Sequence, residues 1–122
     1  ELFTFPFVGL GTHTRKLKER PDEVKRTIKA LIKANRFIRQ NREGTIQTLA
    51  DWGRTTPALA ASAYDSAFKV YNLDGSIPDD GLLAVIDQAV KESKPTRPIV
   101  ASDVADMTPL REAQKELGIK GR

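Results

Sequence analysis

The clearest alternation of apolar and polar positions lies between Glu19 and Gln40. Val24, Ile28, Leu31, Ile32, Asn35 and Ile38 recur so as to share one face of an α-helix, at roughly 100° per residue. Lys25, Arg26, Lys29, Lys33 and Arg36 fall on the opposite face. Pro21 suits the first turn, where its missing N–H costs no hydrogen bond, and Asp22 and Glu23 complement the positive end of the helix dipole. The pattern predicts a long amphipathic helix, broken between Asn41 and Gly44, with Gly44 as its C-terminal cap.

Weaker patterns follow. Thr45 can cap a short helix through Trp52, closed by Gly53. Thr56-Pro57 is an N-cap followed by a first-turn proline, and predicts a helix to about Tyr71. Its expected buried stripe is Leu59, Ala63, Ala67, Phe68 and Tyr71, and its many alanines imply close helix packing. Asn72-Leu73-Asp74-Gly75-Ser76 reads as a turn. A helix after Pro78 turns Leu82, Val85, Ile86, Ala89 and Val90 inward. Lys94-Pro95-Thr96-Arg97-Pro98 is a stiff extended connector. Ile99 to Met107 is expected to stay irregular or weakly extended, and Thr108-Pro109 opens a last short helix that Gly118 ends.

The N-terminus has a different period. Phe3, Phe5 and Phe7 alternate with Thr4 and Pro6, which suggests a strand with one apolar face. Pro6 cannot donate a ladder hydrogen bond, so the strand belongs at an edge or a crossover. Gly9 and Gly11 end it. The expected fold is mainly α, with four to five helices plus one N-terminal extended strand. Residues 1–12 form the strand, residues 20–118 the helical region, and residues 1–122 a single unit.

Composition narrows the function classes. The chain has 122 residues, 39% hydrophobic and 30% charged, which fits one folded domain and argues against disorder. No apolar run approaches the length of a bilayer span. The absence of cysteine excludes disulfides, thiolate metal sites and cysteine nucleophiles. A net charge of +4 gives solubility and only mild attraction to polyanions. The apolar stretch before Gly9 lacks the preceding basic residues of a signal peptide, so any export signal is expected upstream of Glu1.

Candidate chemistry is sparse. His13 is the one histidine and has no second nitrogen or sulfur ligand in its vicinity, so a metal role is not expected. Asn72 to Leu83 begins like a calcium loop, but its sixth position is Ile77 and its twelfth Leu83, where the loop needs glycine and glutamate. Asp79-Asp80 and Asp103/Asp106 are carboxylate pairs on paper. The first pair fits a helix N-terminus, and Asp106 reads as structural. No Ser-His-Asp set, phosphate-cradling loop or dinucleotide fingerprint is present. Neither catalytic nor cofactor-binding residues are expected. Thr45 to Phe68 could mimic a helix-turn-helix, but its second helix offers almost no phosphate or base contacts, so nucleic acid is not an expected partner.

Taken in order, several segments resemble one protein family. They are Phe5-Pro6-Phe7-Val8-Gly9-Leu10, Pro21-Asp22-Glu23-Val24, Ala30-Leu31, Phe37-Ile38-Arg39, Arg42-Glu43-Gly44-Thr45-Ile46, Thr56-Pro57-Ala58, Tyr64, Asp74-Gly75, Gly81-Leu82 and Leu110-Arg111-Glu112-Ala113. The chain resembles the C-terminal part of ABC-transporter solute-binding proteins of the NMT1/thiamine-precursor, sulfonate and nitrate group. The resemblance covers nearly all of this chain and about the last third of a family member.

That resemblance implies part of a two-lobed α/β protein that closes over a small organic or oxyanion ligand and presents it to a membrane permease. It implies a periplasmic or membrane-anchored exported location and no enzymatic activity. Phe5 to Leu10 would be the strand returning to the first lobe. Phe5, Phe7, Gly9 and Thr12 would be the residues nearest the ligand, with Phe7 stacking and the glycines admitting close approach. The three phenylalanines read first as sheet core, ahead of hinge or cleft contact. A strand of this kind needs an edge partner, so the isolated chain is expected to associate through residues 2–10, as a two-fold dimer or by strand exchange. The alternative is a stand-alone helical interaction module whose basic face binds an acidic partner.

Overall fold

The computed structural model describes Pro6 and residues 8–120. Among them are seven α-helices and no strand. They are α1 (Thr14–Glu19), α2 (Pro21–Gln40), α3 (Arg42–Gly53), α4 (Pro57–Ala67), α5 (Asp79–Ser93), α6 (Ala101–Val104) and α7 (Thr108–Glu116), with a 3-10 turn at Phe68–Val70 after α4. The mainly helical class is as expected. The strand expected on Phe3, Phe5 and Phe7 falls on residues outside this description. Residues 8–12 are exposed and belong to no helix or strand.

Two helices exceed the expected four to five. α1 buries no residue, so it leaves no apolar stripe in the sequence. It is held locally: the Lys16 and Leu17 N–H groups donate to the His13 carbonyl, and Lys16 Nζ lies 2.6 Å from Glu23 Oε1. α6 replaces part of the expected irregular stretch. The Asp103 carboxylate accepts from the Val100 N–H at 3.0 Å and from Arg97 Nη1 at 2.8 Å, closing a single helical turn.

The chain divides into two compact units, one of which is Arg26–Gly75. Within it, α3 packs on α4. Its buried residues are Ile32, Thr45, Ala50, Ala60 and Tyr64. Ile32, at 2% exposure, is the most enclosed large side chain, whereas Leu31, expected inward, is 47% exposed. The α4 stripe is also rotated by one position from expectation. Ala60 and Tyr64 are buried, while Leu59, Ala63 and Ala67 face solvent. Alanine fits either side of a helix, so an alanine-rich segment carries little phase information. Tyr64 sets the rotation: its hydroxyl donates to the Ile38 carbonyl at 2.7 Å and its ring stacks on Phe68 at 5.3 Å.

The junction of α2 and α3 is corrected as well. Gly44 is not the cap of α2 but lies in the first turn of α3. Asn41 is the N-cap, its Oδ1 accepting from the Gly44 N–H at 2.9 Å. Thr45 instead donates its hydroxyl back to the Asn41 carbonyl at 2.7 Å. A Cβ on Gly44 would come within 2.9 Å of both Asn41 Oδ1 and Phe37 Cζ, so a larger residue there would have to displace these side-chain ends. The left-handed residue that closes α3 is Arg54, at φ 48°. Thr56 caps α4 as expected, accepting from the Leu59 N–H at 3.3 Å. The turn at Asn72 also forms, with Gly75 at φ 79° donating to Asn72 Oδ1 at 2.7 Å.

The other unit comprises the flanking segments, up to Lys25 and from Ser76 onward. Val24, Gly81, Ile86, Ala113 and Gln114 are its buried residues. On α5, Leu82 and Val90 are half-buried beside Ile86, but Val85 and Ala89 are exposed. Lys25 Nζ lies 2.8 Å from Glu116 Oε1 and 3.5 Å from Asp22 Oδ1, tying the start of α2 to α7. α7 ends as expected at Gly118, φ 67°. The Gly118 N–H donates to the Lys115 carbonyl and the Ile119 N–H to the Gln114 carbonyl, a complete Schellman closure.

Tyr64→Phe is expected to lower stability in urea unfolding by about 1 kcal/mol, because the half-buried Ile38 carbonyl loses its donor. An unchanged midpoint would show that the hydroxyl does not hold α4 in place. Arg54→Gly is expected to stabilise the chain by up to about 1 kcal/mol, since glycine takes the left-handed backbone without a Cβ clash. A lower melting temperature for this variant would contradict that reading.

Candidate functional site

Of the residues expected nearest a ligand, the structure describes Gly9 and Thr12. Both are exposed. A Cβ on Gly9 or Gly11 would meet nothing within 4 Å, so neither glycine is pressed against a neighbouring wall. Phe5 and Phe7 lie outside the described residues. His13 is exposed and precedes α1, where its backbone carbonyl rather than its ring is engaged.

Among the described residues, a concave surface lies at the starts of α5 and α7 and along α6. It is an open cleft of about 410 Å³. Leu82, Ala101, Ala105 and Met107 supply its apolar lining, and Asp79, Ser102, Asp106, Thr108 and Arg111 its polar groups. Asp106 Oδ1 accepts from the Thr108 N–H at 2.9 Å, placing the carboxylate at the start of α7. That backbone hydrogen bond, then the Thr108 hydroxyl, hold its carboxyl below the ordinary value, with a smaller contribution from the Arg111 charge. Asp103 is also held low, first by the Arg97 guanidinium and then by the Val100 N–H.

The Asp103/Asp106 pair of the sequence is therefore two separate helix-end acceptors. A carboxyl shifted downward is ionised at neutral pH and has no proton to give as a general acid. Asp79 takes its place in the first turn of α5, as expected. Ser102 and Thr108 are the hydroxyls of the cleft, and His13 is not among its lining residues. Among the described residues, no group of three His, Cys, Asp or Glu side chains could hold a metal ion. The cleft can offer hydrogen bonds and a mixed-charge rim to a small polar molecule.

The basic face of α2 is partly consumed within the fold. Arg36 Nε donates to the Leu73 carbonyl at 2.9 Å. Arg39 Nη1 donates to the Lys69 carbonyl at 3.0 Å and the Tyr71 carbonyl at 3.4 Å, and its guanidinium lies 5.6 Å from the centre of the Phe68 ring. Arg42, just beyond, makes a bidentate pair with Asp65 at 2.9 and 2.7 Å. Arg26 and Lys33 remain exposed, while Lys25 and Lys29 are half-buried. Sequence reading missed Arg39 and Arg42, because a bond to a carbonyl 30 residues away leaves no local signal.

Several large apolar side chains stay on the surface. Trp52 is 85% exposed, Val8 82% and Leu59 64%. None of the helices among the described residues is long and apolar enough to cross a membrane. Compared with protein-family models, curated proteins and solved structures, the chain matches none of them.

The Arg42–Asp65 pair makes a pH-dependent contribution. The Arg42 hydrogen bonds hold the Asp65 carboxyl below its ordinary value, against a smaller opposing effect of burial. Its stabilisation is thus present above the unfolded-state value of about 3.9 and is lost as pH falls through the lower folded-state value. Asp65→Asn is expected to lower the urea midpoint at pH 7, and the gap to wild type should close in strongly acid solution. A gap independent of pH would mean that the pair does not act through ionised Asp65.

Proposed function

We propose that this chain is the helical C-terminal portion of a two-lobed solute-binding protein that captures a small organic molecule or oxyanion for ABC-type import. The observation that carries the reading is the ordered series of family-like segments, from Phe5-Pro6-Phe7 to Leu110-Arg111-Glu112-Ala113. Further support comes from the positions these segments occupy. Pro21 to Val24 open α2 and bury Val24. Asp74-Gly75 sits in a turn whose glycine has a positive φ. Gly81 is buried in the first turn of α5, and Ala113 of α7 has no exposed surface. Residues at such positions are constrained by backbone and packing, so their agreement with a family pattern has a physical basis.

In the whole protein these helices would brace one lobe, and the segment from Phe5 to Thr12 would return to the first lobe and reach the cleft. Phe7 would stack on the ligand, and Gly9 would admit its close approach. Uptake would follow from ligand-favoured closure of the lobes and recognition of the closed form by a permease in the membrane.

The native protein is expected in an exported fraction with an intact mass roughly twice this chain's or more, since two lobes of typical domain size are implied. Thermal unfolding of that whole protein with an aminopyrimidine thiamine precursor, an alkanesulfonate or nitrate should show a raised midpoint with one of the three. Phe7→Ala should reduce the shift. A native mass of 13.5 kDa in the cytoplasm would overturn the proposal.

The 122-residue chain by itself is expected to associate through residues 2–10, where Val8 and Leu10 are exposed. Light scattering at high micromolar concentration should give a mass above that of one chain, and a strictly monomeric mass would count against the returning-strand assignment.

A further inference from the structure

We draw no further inference here: the strongest candidate, the open cleft formed by the starts of α5 and α7 with α6, carries none because its carboxylates Asp79 and Asp106 are accounted for as helix-end groups and no buried, unpartnered polar side chain among the described residues points into it.

Discussion

The end of α2 poses the constraint around which the Arg26–Gly75 unit is organised. A helix leaves its last four carbonyls without intrahelical donors, and a carbonyl withdrawn even partly from water without a partner is costly. Ile38 is one of those carbonyls, and the Tyr64 hydroxyl reaches it at 2.7 Å. That one bond joins α2 to α4 and fixes which face of α4 is buried. Ala60 follows Tyr64 into the interior, and Phe68 stacks on the Tyr64 ring. The other α4 alanines accept whatever side this rotation leaves them.

The same problem recurs after α4, where arginines solve it. The carbonyls of Lys69, Tyr71 and Leu73 receive N–H groups from Arg39 and Arg36. A guanidinium suits this work because its planar fork spans two acceptors while its face covers an aromatic ring. Arg39 does both, over Phe68. Of the α2 stripe, Arg36 is engaged in this way by the Leu73 carbonyl, whereas Arg26 and Lys33 stay exposed.

Legibility in the sequence tracked how local each cause is. The long helix, the Thr56 cap, the Asn72 turn and the Gly118 stop were all readable, because each depends on residues within a few positions of one another. Gly44 was misread for an instructive reason. Glycine after an amphipathic run usually marks a helix end, but here Asn41 takes the boundary, and a Cβ at Gly44 would press on the Asn41 and Phe37 side chains. α1 and α6 were missed because neither has an apolar period; ion pairs and a carboxylate bond to the backbone hold them. Of the expected ligand contacts, Gly9 and Thr12 lie in an exposed segment, and one cleft among the described residues is built by helix ends that no motif announced.

From its own order of residues, the chain determined a mainly helical architecture and the principal helix starts and stops, since capping, turn chemistry and helical periodicity act over one or two turns. Tertiary structure alone decided the rotation of α4 and the partners of Arg36, Arg39 and Arg42. These depend on carbonyls, rings and carboxylates brought together from distant positions, and one-dimensional spacing holds no record of such meetings.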